Sequence, residues 1–370
     1  MKYDVAAYIW PSYTGDEPRS RIFWPEGMGE WETVKAAAPR FEGHPWPRKP
    51  LWGYVNEADP AVMEMEISQA RRYGIDLFVY DWYWYDRRPF LENCLNDGFL
   101  KAANCREMRF YLMWANHDAN YLWDRRLAGT ACTSTTVWTG RVNRADFEEM
   151  ALRLIDKYFT IENYYKIDGK PVFMIYDVPN FIAGLGGLNE AEEAVAWFRA
   201  AVEKRGFPGL FLQFCVRNPR REAYALGPGD RSPFFMEAVR RCAADGVTHY
   251  GTGAITRPTG DYGEMLPVIG AAYEEMERDY GVPYFPVVNC GWDNNPRHPH
   301  AFKPNIITGN TPEKLEEGLR QAKDFVDLRA LPAPLVLINS WNEWTEGSYL
   351  EPDDRYGSGY LEAVRRVFVG

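Results

Sequence analysis

The chain has 370 residues, of which 52 are acidic and 42 are basic, and its formal net charge is -10. This balance argues against nucleic acid as a partner, because phosphate binding requires clustered lysine and arginine side chains. The length suits one α/β barrel with long loops, so we expect a single catalytic domain over residues 1–370.

The six cysteines are scattered along the chain without a CxxC pair. This spacing predicts neither a zinc site nor a disulfide framework, so we expect reduced thiols, no metal and no cofactor. The first ten residues run directly into a strand pattern without the apolar segment of a signal peptide. No apolar run has the length of a membrane span. We therefore expect a cytoplasmic protein.

Short apolar runs alternate with longer helical patterns eight times along the chain. The predicted strands are residues 5–10, 76–82, 109–115, 171–176, 210–215, 248–253, 284–290 and 335–339. The predicted helices are residues 60–73, 145–159, 189–205, 233–245, 263–280, 312–328 and 356–368, with a weaker one at 91–104. This alternation is typical of βαβ units and a parallel sheet.

Eight strands with intervening helices predict a closed (β/α)8 TIM barrel. An open doubly wound sheet is the alternative, but the chain has neither a GxGxxG motif nor a P-loop motif to support nucleotide binding. The segments 40–50 and 291–304 are rich in proline or polar residues, and we expect them to form long loops over the C-terminal mouth of the barrel.

The last predicted strand leads directly into the segment NSWNEWTEG at residues 339–347. Its carboxylates, Glu343 and Glu346, follow the carboxyl end of a strand, where barrel enzymes collect their active sites. A carboxylate pair can act as acid and base at a glycosidic bond, and tryptophan faces can stack on sugar rings. The segment therefore predicts carbohydrate chemistry with Glu343 and Glu346 as the catalytic residues.

The other strand ends converge on the same mouth if the barrel forms. Their aromatic, amide and acidic side chains would wall a cleft that binds sugar rings and hydroxyls. The residues predicted to bind substrate are Trp10, Asp81, Trp82, Trp84, Trp114, Asn116, His117, Tyr176, Trp292, Asn342, Trp344 and Glu351.

Some of these residues have a second interpretation. Asp81 could cap a turn, His117 could be a loop histidine bonded to a backbone carbonyl, and any single tryptophan could belong to the core. The pair His298 and His300 has a spacing that some metal sites use, but its proline-rich surroundings favour a solvated loop.

Six further features form a specific set: GEWETV at 29–34, FEGH at 41–44, GY at 53–54, YGI at 73–75, WAN at 114–116, and WNEWTEG through LEPD at 341–353. As a set they resemble the WbsX-like family, described as glycosyltransferases of lipopolysaccharide biosynthesis and related to the glycoside hydrolase family 99 endo-α-mannosidases. The resemblance extends over nearly the whole chain and implies a (β/α)8 barrel.

The resemblance also implies roles for the two glutamates. Carried onto this sequence, Glu343 is the base that deprotonates the sugar 2-hydroxyl, which attacks the anomeric carbon to give a 1,2-anhydro sugar. Glu346 protonates the leaving oxygen and then activates water, with net retention. The chain departs from the common pattern after the third strand, where many relatives have Trp-Ala-Asn-Glu and this chain has His117 and Asp118. That difference concerns the substrate more than the reaction.

Three functions are compatible with these features. We expect a retaining glycoside hydrolase that acts on an α-linked oligosaccharide or polysaccharide with a free 2-hydroxyl. The alternative is a glycosyltransferase of surface polysaccharide (O-antigen) biosynthesis, although such nucleotide-sugar enzymes usually have Rossmann-like folds and often a metal. A non-catalytic carbohydrate-binding barrel is the third hypothesis, and the presence of both glutamates disfavours it.

Overall fold

Eight parallel strands form a barrel in the computed structural model, which describes residues 2–219 and 232–370. In chain order they are β1 Asp4–Ile9, β2 Leu77–Tyr85, β3 Arg109–Trp114, β4 Lys170–Ile175, β5 Phe211–Cys215, β6 Gly246–Thr248, β7 Val287–Asn289 and β8 Leu335–Asn339. Their order in the sheet is β6-β5-β4-β3-β2-β1-β8-β7. A parallel bridge between Val247 and Tyr284 joins β6 to the segment before β7 and nearly closes the barrel. The predicted (β/α)8 fold is confirmed.

The strands are buried on both faces, as expected for a parallel sheet covered by helices. Every residue of β2 and β8 is buried, and in β1 only the first residue is partly exposed. In the register, Val5 of β1 pairs with Val336 of β8, and Ala6 pairs with Leu77 of β2. The first and last strands of the barrel are therefore neighbours, which brings the loops after β1 and β8 together.

Helices cover the outside of this barrel. They are α1 Trp31–Lys35, α2 Pro60–Arg72, α3 Arg144–Leu154, α4 Val178–Leu185, α5 Leu188–Lys204, α6 Ser232–Arg241, α7 Tyr262–Tyr280, α8 Pro312–Asp327 and α9 Gly359–Phe368. Helix α2 begins at a proline behind Asp59, whose carboxylate accepts the Ala61 N–H at 2.9 Å. None of the helices in the described ranges is long and apolar enough to cross a lipid bilayer.

Several short strands lie outside the eight-stranded barrel. Arg88–Phe90 pairs with β2 and Lys166–Ile167 with β4, both antiparallel. Three separate pairs are Ala119–Asn120 with Thr136–Trp138, Gly260–Asp261 with Ile307–Thr308, and Asn342–Glu343 with Ser348–Tyr349. The last of these pairs lies directly after β8.

Two predicted elements differ from the structure. The sixth strand was expected at residues 248–253, but it ends at Thr248, because the chain then turns through Gly251 into a 3-10 turn at Thr252–Ala254. The weak helix expected at residues 91–104 is a π turn, Cys94–Gly98, followed by a 3-10 turn, Phe99–Lys101. Helix α4, which the sequence pattern did not indicate, begins behind the cap residue Asp177.

Candidate active site

The loop after β8 places two glutamates at the barrel mouth. The Ser340 hydroxyl accepts the backbone N–H of Glu343 at 2.9 Å and donates to the Ser348 carbonyl at 2.7 Å. The same residues form the Asn342–Glu343 and Ser348–Tyr349 hairpin. These bonds fix the backbone of Glu343, so its carboxylate has a defined position in the mouth.

Glu346 ends the 3-10 turn Trp344–Glu346, and Gly347 then redirects the chain with a φ of 62°. A larger residue at Gly347 would have to adopt this left-handed conformation with its Cβ only 3.3 Å from the Cβ of Asp293. The Asp293 N–H donates to the Glu346 carbonyl at 2.6 Å. The turn is therefore held against the loop that follows β7.

Arg297, from the loop after β7, bridges the two glutamates. Its Nη1 lies 2.6 Å from Glu346 Oε1, and its Nη2 lies 3.3 Å from Glu343 Oε2. The arginine side chain is 6% exposed. These are therefore buried, charge-assisted hydrogen bonds, which are stronger than those between neutral groups.

Glu30, which directly precedes α1, holds the other edge of Arg297. Arg297 Nε donates to Glu30 Oε1 at 2.7 Å, and Nη2 donates to Oε2 at 3.0 Å. The indole N–H of Trp10, at the end of β1, donates to the same Oε2 at 2.6 Å. Glu30, Glu343 and Glu346 with Arg297 are called the front cluster below. Trp10 thus lies at the site, but its N–H is occupied by Glu30.

Tyr250 links a further carboxylate to this cluster. Its hydroxyl lies 2.9 Å from Asp81 Oδ2 and 3.2 Å from Glu343 Oε1. Asp81 comes from β2 and is 4% exposed, and its Oδ1 has no hydrogen-bond partner among the described residues. A buried oxygen without a partner at the mouth is available to a hydroxyl group of a ligand.

The front cluster favours protonated carboxyl groups. Burial raises the pKa of Glu343 well above its usual value, and the neighbouring Glu346 carboxylate raises it further. Burial also raises the pKa of Glu346, against the charge of Arg297. Burial raises the pKa of Asp81 well above its usual value. Closely spaced carboxyl groups with raised pKa values in a cleft are suited to giving and taking protons.

His117 and Tyr176, both half-buried, lie on the same side of the mouth. The ring centroid of Tyr176 is 5.9 Å from that of His117 and 5.4 Å from that of Tyr250. Burial lowers the pKa of His117, and its Nδ1 lies 3.1 Å from the carbonyl of Asp118. The structure therefore brings Tyr176 near Glu346 and His117, as a neutral ring, beside Tyr176 and within the field of Arg297.

Trp82 and Trp84 do not reach the cleft, contrary to the prediction. Successive side chains of a strand point to opposite faces, and because Asp81 points into the barrel, both tryptophans point outward. The Trp82 N–H donates to Glu92 at 2.7 Å, and Glu92 accepts from Arg153 of α3 at 2.6 Å. These residues belong to the packing between the sheet and its helices.

Trp114 and Asn116 also have structural contacts instead of the predicted ligand contacts. Trp114 packs against Phe147 of α3 and Phe181 of α4, with ring centroids 6.3 and 6.2 Å away. The Asn116 side chain accepts the N–H of Asp177 and donates to its carbonyl, both at 2.7 Å. Its amide is therefore used to join the loops after β3 and β4.

The loop after β7 contains Trp292 and the two histidines of the predicted solvated segment. Trp292 is half-buried and its carbonyl accepts the N–H of Ile307 at 2.8 Å. His300 is exposed, but His298 is 6% exposed, and burial lowers its pKa to about 4. The interpretation of this segment as a solvated loop is therefore wrong for His298, which is buried directly after Arg297.

The remaining side chains of the β8 segment point away from the front cluster and bind a second group of carboxylates. Each of three donors contacts one glutamate: Trp341 Nε1 with Glu66 at 3.0 Å, Asn342 Nδ2 with Glu57 at 2.8 Å, and Trp344 Nε1 with Glu351. Glu57, Glu66 and Glu351 are called the rear cluster below. Asn342, Trp344 and Glu351, predicted to bind substrate, are thus occupied by one another and by this cluster.

The rear cluster is fully enclosed. Its carboxylate oxygens lie within 4.8 Å of one another, and its side chains have no lysine, arginine or histidine ion partner within residues 2–219 and 232–370. Burial raises the pKa of Glu66 to about 8, and it raises the pKa values of Glu57 and Glu351 well above the usual value. Three carboxylates are ligands that hard cations such as Ca²⁺ prefer, and burial, by raising their pKa values, favours protons as the other means of neutralising their charge.

Sequence reasoning missed Arg297 and Glu30 as site residues. Tyr250 lies within the predicted sixth strand, and the strand pattern places it among the aromatic residues of the mouth. Glu30 lies in the GEWETV segment, so its position carried a signal. Arg297 lies in a long loop without a motif, and only its contacts reveal it.

The comparison with protein families identifies the chain. The family model described as "Glycosyltransferase WbsX" matches residues 5–364, a range that includes both the Glu30 loop and the segment after β8. The chain belongs to the WbsX family. Its front cluster is therefore built from parts of the chain that the family model covers.

Among curated proteins, this WbsX member is similar to the uncharacterized protein WxcX of Xanthomonas campestris pv. campestris. The two are 26% identical over 363 residues, which is 95% of this chain and 47% of WxcX. A second strain of the same organism has a WxcX protein with the same identity and coverage. The chain thus spans about half the length of the curated relatives it matches.

Two solved structures share the fold of this WbsX member. A protein described as "Glycoside hydrolase-like protein" has a TM-score of 0.61 and 17% identity, covering 99% of this chain and 94% of that one. The family 99 endo-α-mannosidase of Bacteroides thetaiotaomicron has a TM-score of 0.60 and 14% identity, covering 98% and 95%. At these identities the likeness shows the barrel fold.

Proposed function

We propose that the protein is a retaining glycoside hydrolase that cleaves an α-linked bond of an oligosaccharide or polysaccharide, with residues 1–370 as its catalytic unit. The observation that carries this proposal is the pair Glu343 and Glu346 at the carboxyl end of β8, bridged by one buried arginine. Enzymes that cleave glycosidic bonds usually use two carboxyl groups, and barrel enzymes carry their active sites at this mouth.

In the proposed first step, the Glu343 carboxylate takes the proton of the sugar 2-hydroxyl. The 2-oxygen then attacks the anomeric carbon, the bond to the leaving oxygen breaks, and Glu346 gives its proton to that oxygen. In the second step Glu346 takes a proton from water, the water oxygen attacks the anomeric carbon, the bond between that carbon and the 2-oxygen breaks, and Glu343 returns its proton to the 2-oxygen. Two inversions at one carbon give net retention.

One feature of the site supports this assignment of roles. Glu346 is the more exposed of the two side chains, at 13% against 5% for Glu343, so it is better placed to meet water. Burial raises the pKa values of both glutamates, so the pair favours keeping a proton, while the charge of Arg297 opposes protonation of either one.

A mannose-like or rhamnose-like sugar suits the proposed route, since the 2-hydroxyl must reach the anomeric carbon from the side opposite the leaving group. One of the structural neighbours is an endo-α-mannosidase, which agrees with a mannose-like sugar. In our proposal Asp81, His117 and Tyr176 bind the sugar, because they are the predicted residues that face the carboxylates.

A glycosyltransferase is the second candidate, because the family description names that activity. In this candidate the product would be a surface polysaccharide. It would use the same two carboxyl groups, with a sugar hydroxyl in place of water as the acceptor. This activity would require an activated sugar donor.

The two candidates are separated by incubating the protein with defined α-linked oligosaccharides and following the products by mass. We expect release of shorter sugars without any nucleotide sugar, retention at the anomeric carbon, and loss of both in Glu343→Gln. Product that forms only when a nucleotide sugar is added would reject the hydrolase. A 2-deoxy substrate that is cleaved as fast as its parent would reject the anhydro-sugar route.

A further inference from the structure

Glu343 and Glu346 do not need the contact between Glu30 and Arg297 in order to bind sugar. We propose that Glu30 and Arg297 are positioning residues: Arg297 holds Glu343 and Glu346 in place, and Glu30 balances its charge so that the pair retains one proton. The inference rests on the proposed function, because that proton is the one Glu346 donates.

The hydrogen bonds of Arg297 fix the orientation of its guanidinium group. A guanidinium has five N–H groups, and four of them point at carboxylates: Nε and Nη2 at Glu30, Nη1 at Glu346, and Nη2 again at Glu343. The two parallel bonds to Glu30 set the plane of the guanidinium. The remaining edges then meet Glu343 and Glu346 at fixed positions.

Glu30 is itself fixed by its surroundings. It has no exposed surface, and the Trp10 N–H donates to its Oε2 at 2.6 Å. The guanidinium carbon of Arg297 also lies 5.8 Å from the ring centroid of Trp10, within the range of a cation–π contact. The end of β1 thus supports both members of the pair.

The charge of Glu30 has a consequence for the protons. A lone cation between two carboxylates favours the ionised form of both, which would leave the reaction without an acid. Glu30 offsets that cation, so a second negative charge on Glu343 and Glu346 becomes costly. In agreement with this, Arg297 lowers and Glu30 raises the pKa of each glutamate, on top of the rise caused by burial.

Other titratable groups face the two glutamates from the surrounding elements. They are Asp81, His117, Tyr13, Tyr83, Tyr176 and Tyr250. Burial raises the pKa values of the four tyrosines and lowers that of His117, so all five are neutral near pH 7. Burial also raises the pKa of Asp81. None of these groups changes in the variants below.

The test compares pH profiles of kcat/KM for an aryl α-mannoside, since both limbs of such a profile report the essential base and acid. Removal of the negative charge in Glu30→Gln should move the profile to lower pH, and removal of the positive charge in Arg297→Gln should move it to higher pH. We expect about one pH unit in each direction for a charge at hydrogen-bond distance. Arg297→Lys retains the positive charge but lacks the parallel N–H donors of the guanidinium. It should therefore keep the wild-type pH profile with a lower kcat.

A matched control is Glu92→Gln. Glu92 is also buried and paired with an arginine, at 2.6 Å from Arg153, but it lies on the outer face of the barrel. It should lower the melting temperature without moving the profile. If Arg297→Gln does not fold, Glu30→Gln and Arg297→Lys still test the charge and the geometry separately. Unchanged profiles, or shifts in the same direction, overturn the inference.

A second measurement separates this inference from the proposed function. Carbon-13 NMR of labelled glutamate carboxyl groups, assigned with Glu343→Gln and Glu346→Gln, gives their pKa values without any substrate. Opposite shifts in Glu30→Gln and Arg297→Gln support the charge balance. If they occur in a protein that cleaves no α-linked sugar, the hydrolase is rejected and the charge balance stands. If sugar is cleaved and the carboxyl groups do not shift, the charge balance is rejected and the hydrolase stands.

Discussion

The front cluster and the rear cluster lie on opposite sides of the same short segment, residues 341–346. Each contains three carboxylates, all of them buried except that of Glu346, whose side chain is 13% exposed. The front cluster has a cation, because Arg297 contacts all three of its glutamates. The rear cluster has three neutral donors, the side chains of Trp341, Asn342 and Trp344. The same kind of side chain is therefore neutralised in two ways within one segment.

The segment 341–346 can therefore serve the proposed chemistry on one side and the structure of the barrel on the other. A buried carboxylate is stable only with a cation or a proton. In the front cluster the cation shares its charge among several oxygens, so protons can move with little change in geometry. In the rear cluster burial raises the pKa values and so favours neutral, protonated carboxyl groups, and the indole and amide side chains donate hydrogen bonds to their oxygens. The rear cluster then acts as the anchor of the reacting side.

The largest expected effect separates the two clusters by rate. Glu343→Gln and Glu346→Gln should each reduce kcat/KM by about 10² to 10⁴-fold, since a positioned acid or base contributes that much. The matched variant of the rear cluster, Glu66→Gln, should retain most of the activity. An aryl glycoside with a good leaving group should restore much of the first step in Glu346→Gln but not in Glu343→Gln. Equal losses in all three variants would show that the clusters act as one.

Removal of the cation should affect stability. In Arg297→Met the glutamates of the front cluster lose their partner, and breaking a buried ion pair costs about 3–5 kcal/mol of unfolding free energy. The loss should be greatest at neutral pH and should decrease in acid, where the carboxylates take up protons instead. Denaturant unfolding at several pH values measures it. A loss that does not depend on pH would mean that Arg297 contributes packing rather than charge.

The rear cluster should make the protein less stable as pH rises. The folded pKa of Glu66, raised by burial to about 8, exceeds its ordinary value of 4.5, so folding takes up a proton between these pH values. Stability should fall by roughly 1.4 kcal/mol per pH unit across that window. Glu66→Gln keeps an acceptor for Trp341 but cannot ionise, so its stability should be flatter and should exceed the wild type above about pH 8. Parallel pH curves would show that Glu66 does not titrate on folding.

The smallest expected effect concerns metal. If protons neutralise the rear cluster, EDTA should leave both the melting temperature and the rate unchanged, because no ion is removed. Calcium or magnesium should then have no effect on melting either. A melting temperature that falls in EDTA and recovers with a divalent ion would make the rear cluster a cation site and remove its difference from the front cluster.

The sequence predicts the barrel and the reacting pair better than the walls of the cleft. The strands are apolar runs of the right length, and Glu343 and Glu346 follow one of them directly. The inward face of β2 is harder to predict, because LFVYDWYWY is apolar or aromatic on both faces and shows no alternation. Trp82 and Trp84 were assigned to the wrong face for that reason. Only the position of Asp81, which meets Tyr250 across the barrel, reveals the phase of the strand.

The front cluster could not be assembled from sequence because its members are far apart. Glu30 follows β1, Arg297 follows β7, and no local pattern connects them. Likewise, the donors at Trp341 and Trp344 look like sugar-stacking residues until their partners on α2 and beyond are known. Motifs therefore pointed to the glutamate pair that we propose as catalytic, and tertiary contacts revealed the residues that hold this pair.

The Glu30–Arg297 contact joins residues 267 positions apart, and Arg297 also contacts two glutamates that come still later in the chain. Contacts of such sequence separation form late, because the intervening chain must first be ordered. During synthesis on the ribosome, Glu30 therefore cannot contact Arg297 until the loop after β7 has been made. A nascent chain released before β8 would contain Glu30 and Arg297 but neither Glu343 nor Glu346, so it would lack the pair that we propose as catalytic.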